Sequence, residues 1–430
     1  MSSEKAERIN IMKIAVLGYG VVGSGVVELM HKNPHTINQK AGTDIEIKYI
    51  LDIKDFDDSP YKNLFVKDFN IILNDPEIEV VVEVIGGLNP AYRFVKESLL
   101  AGKSVVTSNK ELVAVYGDKL LQIAKDKNKN FLFEASVGGG IPIIRPINQC
   151  LAANEIESIS GILNGTTNYI LTKMIKDGYT FEDALKNAQQ LGYAEANPAA
   201  DIEGIDSCRK ISILASLAYG EHVDPQKVHT EGITGIKLED TRYADKAGYA
   251  VKLLGIISKN DDNTLYIMVA PFLVDKTIPL AGVEDVYNAI LVQGDAVGIS
   301  LFYGRGAGKL PTASAVVADV IDCAKHVNAR KYLYWKSSDG SFIADYKKMP
   351  FKRYVSLISD SDISVSDIKS VFPNADIYTD FDKMVFISDE LNEYDFDERI
   401  NALEKNTGAS VCSVIRVFNL NQENGEKKWD

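Results

Sequence analysis

Six residues near the front of the chain, Gly18-Tyr19-Gly20-Val21-Val22-Gly23, restrict its fold more than any other feature. Glycines at this spacing say little alone; their setting decides. Residues 13–17 (KIAVL) form an apolar run that reads as a buried strand. From Val22 the apolar residues take helical spacing, with Val22, Val26, Leu29 and Met30 on one face. A strand that turns through glycines into a helix opens a doubly wound, dinucleotide-binding α/β domain. Gly18 permits the tight turn, Gly20 lets backbone approach a pyrophosphate, and Gly23 lets helix and strand pack closely. N–H groups at the helix start then face phosphate. Asp52, just past a second strand (45–51), is expected to hold the adenosine ribose and so to favour NAD. Lys54 is the nearby cation that could favour NADP instead.

Further strands are expected at 79–85 (EVVVEVI), 103–107 and 131–135, and a helix at Asn89-Pro90 with proline in its first position. The alternation predicts a parallel sheet flanked by helices. The Rossmann domain then covers 12–135, with 304–335, including an apolar helix at 313–327, returning to it. Residues 136–303 read as an α+β catalytic and dimerisation domain, with helices at 181–191, 205–219 and 245–258 and a strand at 265–271. After a linker at 339–349, residues 350–420 run strand (354–359), helix (366–372), strands (376–378, 384–388), helix (396–405), strand (411–418). That βαββαβ order is the ferredoxin-like unit.

The net charge of −13 disfavours nucleic acid as a partner. No apolar run reaches the roughly 18 residues that span a membrane. Residues 1–12 are polar, unlike a signal peptide, so a cytoplasmic protein is expected. Cys150, Cys208, Cys323 and Cys412 lie far apart without CxxC, and read as reduced, mostly buried thiols.

Two lysines stand out. Lys110 closes Thr107-Ser108-Asn109-Lys110 after a strand, where α/β sheets carry ligand-facing loops. Asp206 and Lys210, four apart, share one face of a helix that is apolar nearly all round beyond them. A charged pair entering a buried helix is either a structural ion pair or functional.

Segments GYGVVGSGVV (18–27), TSNKELVA (107–114), EASVGGGIPII (134–144), NGTTNYIL (164–171), DIEGIDSCRKISILA (201–215) and GRGAGKLPTASAV (304–316) together resemble homoserine dehydrogenase, over about residues 12–330. The resemblance implies oxidation of L-homoserine to L-aspartate 4-semialdehyde by NAD(P)+, reversed in threonine and methionine synthesis. It implies that Lys210 moves the hydroxyl or carbonyl proton, that Asp206 orients it, and that Lys110 is a second active-site lysine. Glu195 would hold the substrate ammonium, Asp201 would line the pocket, and Asn164 to Asn168, with Gly165 and Thr166, would form its floor. The coenzyme would meet Gly18 to Gly23, Asp52, Gly86, Thr107, Ser108, Lys110, Gly306 and Gly308. A sodium ion is implied at Glu134 with backbone oxygens of Val137, Gly139 and Ile141; the alternative is that Gly138–Gly140 is merely a flexible turn. A homodimer or homotetramer is implied as well.

The C-terminal unit resembles an ACT domain, which in this family often carries amino-acid feedback such as that by threonine. It departs at Asp360-Ser361-Asp362-Ile363, where the usual proline-glycine turn, part of the effector site, is missing, so the module either carries feedback or is only structural or dimer-forming. Two other readings compete. Aspartate-semialdehyde dehydrogenase needs a cysteine nucleophile, for which Cys150 is the sole candidate near a suitable junction. A non-catalytic dinucleotide-sensing Rossmann/ACT regulator would have no use for Glu195, Asp206 and Lys210.

Overall fold

The computed structural model describes residues 11–327, 329–359, 363–379 and 381–420. Most of the polar N-terminal segment and of the turn at 360–363 therefore lies outside the described residues. Two compact units emerge. One comprises the chain through Ala153 with Ser212–Pro225 and Gly304–Asp339; the other comprises Asn154–Ile211, Gln226–Tyr303 and the chain from Gly340 onward.

The first unit is built on six parallel strands, β1 (Ile11–Leu17), β2 (Asp44–Leu51), β3 (Phe65–Val66), β4 (Ile78–Glu83), β5 (Ser104–Thr107) and β6 (Phe131–Leu132). Their order, β3-β2-β1-β4-β5-β6, is that of a dinucleotide-binding sheet, with the topological switch between β1 and β4. Ile14–Leu17 and Val80–Val82 are buried because helices cover both faces, so these strands read as unbroken apolar runs. The intervening helices are α1 (Val21–Lys32), α2 (Pro34–Ala41), α3 (Phe69–Asn74), α4 (Ala91–Leu100) and α5 (Lys110–Asp126). Pro90 is the N-cap of α4 rather than its first helical residue, and follows a cis peptide bond.

The second unit continues with β7 (Ile156–Ile162), α6 (Gly165–Asp177), α7 (Phe181–Gln190), α8 (Ala199–Ile202), α9 (Ile205–Tyr219), β8 (His229–Thr230), α10 (Leu238–Lys246), β9 (Tyr249–Lys259), β10 (Leu265–Asp275), β11 (Tyr287–Gly294) and β12 (Gly298–Arg305); α9 and β12 end in first-unit residues. The helix expected at 245–258 is largely wrong: α10 ends at Lys246 and most of that stretch is strand β9. Its residues 250–257 are all buried, and a strand covered on both faces has no alternation to separate it from a buried helix. Gly255 lets Ile211 and Leu163 pack directly onto this strand. In the first unit, α11 (Lys309–Lys325) packs on α1, where a Cβ at Gly25 would meet Lys309 backbone oxygen at 2.8 Å.

The last segment gives β13 (Arg353–Ile358), α12 (Val365–Val371), β14 (Asp376–Tyr378), β15 (Met384–Ile387), α13 (Glu393–Thr407) and β16 (Ser410–Phe418), in the expected βαββαβ order. It has its own core, centred on Val355, Ile368, Phe372, Phe386 and Leu403. Its strands do not form a separate sheet. β16 pairs in parallel with β10, so the sheet runs β12-β11-β7-β9-β10-β16-β13-β15-β14. The stretch read as a linker is docked to β10: Leu265 N–H donates to Phe342 O and Ala344 N–H to Leu265 O, both 2.8 Å.

Candidate active site

In the first unit the carboxyl ends of β1, β4 and β5 come together at the switch point. Gly18 has φ +96°, and a Cβ at Gly23 would lie 1.9 Å from Gly18 O, so both positions require glycine. A Cβ at Gly20 would meet nothing within 4 Å: its backbone borders open space. Gly20 caps α1 without a side-chain hydrogen bond and no acidic residue follows in the first turn. The first N–H groups of α1, at Val21, Val22 and Gly23, lack intrahelical acceptors by helix geometry and suit an anion. Gly308, φ +129°, caps α11 in the same bare way. Asp52 is half-buried; its carboxylate accepts from Tyr19 N–H at 2.7 Å and Lys54 N–H at 2.9 Å. The acid thus braces the glycine loop while keeping oxygen lone pairs for a ribose.

A residue missed in the sequence organises the neighbouring strand ends. Glu83, fully buried at the end of β4, accepts from Thr107 Oγ1 (2.6 Å), Ile85 N–H (2.8 Å) and Gly86 N–H (3.3 Å). Burial raises its carboxyl above the usual range, partly offset by these bonds. Thr107 Oγ1 in turn accepts from Asn109 N–H at 2.9 Å, and Asn109 caps α5 and donates to Gly87 O at 2.6 Å. Lys110 therefore opens α5 from a fixed corner, beside half-buried Ser108 and exposed Gly86. An acid within a β-branched run (EVVVEVI) was the available signal.

The turn after β6 is tightly packed. Gly139 has φ +57°, and a Cβ there would lie 2.2 Å from Gly306 O. Glu134, buried, accepts from Ile143, Ile144 and Arg145 N–H at 2.7–2.9 Å. Val137 and Ile141 are buried beside it. Arg145 bonds Asp319 and, at 3.1 Å, Asp322; burial pushes the Asp319 carboxyl up to about 7 despite Arg145.

In the second unit a polar cluster forms where β7 passes into α6. Asn164 caps α6 through Thr167 N–H (2.9 Å), and its amide donates to Asp201 (2.7 Å) and Asp206 (2.9 Å). Lys210 and Asp206 are buried and paired at 2.8 Å, and Lys210 Nζ also donates to Leu163 O at 2.7 Å. Four expected residues are thus joined. Gly165 packs on Val286 O, and Thr166 Oγ1 donates to Tyr193 O at 2.7 Å, tying the following loop to α6. Glu195 sits exposed on that loop, its carbonyl accepting from Gln189 at 3.1 Å. Asn168 donates to Val283, Asp285 and Tyr287 carbonyls at 3.1–3.2 Å and accepts from buried Lys252. Burial lowers the Lys252 amine to about 8.

Family models described as homoserine dehydrogenase and as its NAD-binding domain match residues 142–321 and 18–134. The homoserine dehydrogenase of Synechocystis sp. is 46% identical over 318 residues, 72% of this chain and 73% of that one. The chain belongs to the homoserine dehydrogenase family. Its activity is the family's: NAD(P)-dependent oxidation of homoserine, in amino-acid biosynthesis. The crystal structure of a homoserine dehydrogenase from Thiobacillus denitrificans superposes with a TM-score of 0.87 at 35% identity, covering 95% of this chain and 98% of that one. A hyperthermophilic archaeal homoserine dehydrogenase mutant, solved in complex with NADPH, matches with a TM-score of 0.61 at 29% identity, over 73% of this chain and 97% of that one.

The homoserine dehydrogenase assignment removes both competing readings. Cys150 is exposed, Cys412 is half-buried and only Cys208 and Cys323 are buried, so the thiols are less uniformly buried than expected. No helix among the described residues is long and apolar enough to cross a membrane.

Proposed function

We propose that Lys210 is the proton donor and acceptor of the reaction, and that Asn164, Gly165, Thr166, Asp201 and Asp206, with Glu195 on the adjoining loop, receive homoserine. The supporting observation is the water-poor setting of Lys210, held between Asp206 and the Leu163 carbonyl. There an amine can take the hydroxyl proton, or return it to a carbonyl oxygen, without first reorganising solvent. Asp206 directs the amine and offsets its charge. Glu195 and Asp201 supply negative charge for the substrate ammonium. Lys110 adds a second positive charge for the developing alkoxide.

Bound NAD(P)+ accepts the hydride. The residues fit it: the bare start of α1 and the open space at Gly20 suit a pyrophosphate. Gly18 to Gly23, Gly86, Thr107, Ser108, Lys110, Gly306 and Gly308 are the proposed contacts, and Asp52 on the ribose favours NAD+. A strong rate preference for NADP+ would contradict that role. A sodium ion would use backbone oxygens of Val137, Gly139 and Ile141 beside Glu134, since hard cations take oxygen ligands. Glu134 Oε2 accepts a single backbone N–H and so keeps a lone pair for the ion.

In this division of labour 12–135 with 304–335 hold coenzyme, 136–303 act on substrate and dimerise, and 350–420 form an ACT-like module. Dimers or tetramers, tested by sedimentation, and a cytoplasmic location complete the reading; threonine titration decides whether the ACT-like module carries feedback or is only structural or dimer-forming. A crystal structure with coenzyme and homoserine tests the site itself. The homoserine hydroxyl should lie within hydrogen-bond distance of Lys210 Nζ; a substrate bound away from Lys210 would refute the proposal.

A further inference from the structure

The geometry points to Arg416 and Glu231 as a positioning pair, through which the C-terminal strand β16 fixes the short helix that carries Asp201. This rests on the reading of Asp201 as part of the substrate site. Arg416 belongs to the C-terminal segment, outside both matched family models.

Arg416 Nη1 donates to both oxygens of Glu231, at 2.8 and 2.9 Å, and its Nη2 donates to Glu393 at 2.8 Å. The Arg416 side chain is only 12% exposed. Glu231 also meets His229 at 2.6 Å, and the His229 ring stacks on Tyr346 with centroids 3.7 Å apart. Burial alone would raise the Glu231 carboxyl, but His229 and Arg416 outweigh it and hold it below the usual range. The Glu231 carboxylate is thus clamped by groups on β16 and β8.

Its backbone is equally constrained on the other side. Glu231 N–H donates to Val269 O on β10 at 2.7 Å. Ile233 N–H donates to Ile202 O at 2.8 Å. A Cβ on Gly232 would lie 2.2 Å from Ile202 O, and one on Gly204 would lie 2.9 Å from Glu231 O. Residues 231–233 and 202–204 therefore touch backbone to backbone, with no side chain between them to absorb a shift. Ile202 is the last residue of α8, which carries Asp201, and Gly204 immediately precedes α9, which carries Asp206 and Lys210. Displacing Glu231 moves α8 directly. A packed contact of this kind transmits displacement to Asp201, and so to substrate binding.

The test uses the full-length enzyme. Arg416→Ala should raise the KM for homoserine about tenfold while changing kcat less than threefold and leaving coenzyme Kd, read by NADH fluorescence, within twofold. Arg416→Lys, which keeps the charge on Glu231, should restore most of the homoserine KM. An unchanged homoserine KM overturns the inference, and so does a parallel loss of coenzyme affinity. An Arg416→Lys variant as poor as alanine also overturns it. Glu231→Gln, which keeps size and removes charge, covers the case in which Arg416→Ala does not fold, with the same expectations. Asp201→Asn run beside them separates the two readings. If it leaves the homoserine KM unchanged, the assignment of Asp201 fails; if it raises the KM while Arg416→Ala and Glu231→Gln do not, only the positioning pair fails.

Discussion

Asn164→Ala probes the polar cluster at its centre. The side chain caps α6 at Thr167 N–H, accepts also from Thr167 Oγ1, and donates to Asp201 and Asp206. Losing a cap costs about 1 kcal/mol. Each hydrogen bond to a charged group contributes about 1.5–3 kcal/mol. The contacts share one group and half-buried Asp201 can recover water, so they do not add fully; about 3–5 kcal/mol is expected. Denaturant unfolding at pH 7 measures it, with steady-state kinetics on the same sample. Asn164→Asp keeps the cap but turns the two donors into a third carboxylate facing Asp201 and Asp206. Three acids in hydrogen-bond reach cannot all ionise, so a proton is retained in the folded state. Folding then binds protons, and the stability of Asn164→Asp relative to the parent falls as pH rises above the ordinary carboxylate range. A loss of only about 1 kcal/mol in Asn164→Ala, the cap alone, would refute the reasoning. So would a parent-like pH profile in Asn164→Asp.

Two further outcomes follow from single groups. Lys252, lowered to about 8, holds fewer protons folded than unfolded between that pH and its ordinary value. The parent enzyme should therefore gain stability, by up to about 3 kcal/mol, as pH rises across that window. Lys252→Met should lack the gain; an equal rise in both proteins in denaturant titrations would contradict it. Gly23→Ala places a methyl 1.9 Å from Gly18 O, so coenzyme affinity should fall at least a hundredfold, and near-normal NADH binding would show that the loop adapts.

Much of this was legible in the sequence for physical reasons. Strands β1 and β4 announce themselves because burial on both faces demands apolar runs, and the loop after β1 because its turn and helix contact admit only glycine. The βαββαβ order of the last segment is likewise readable from local patterns. Strand β9 was not, since a run buried on both faces looks the same as a buried helix. The pairing of β16 with β10 was hidden because register between distant strands leaves no local trace. Glu83 passed unremarked as one acid in an apolar strand, though its bonds to Thr107, Ile85 and Gly86 shape the corner beside Lys110. The clustering of Asn164, Asp201, Asp206 and Lys210 joins segments some forty residues apart. Only the Asp206–Lys210 step had helical spacing to reveal it.

The measurement that bears most directly on the proposed mechanism is the turnover of Lys210→Ala with homoserine, beside its affinity for coenzyme. Loss of the proton carrier should lower kcat by about 10²–10⁴. Coenzyme Kd should stay within about twofold, because the glycine loop and the lysine sit on different segments of chain. A variant that turns over homoserine at near-parent rates, or one that loses coenzyme binding in step with activity, would contradict the account.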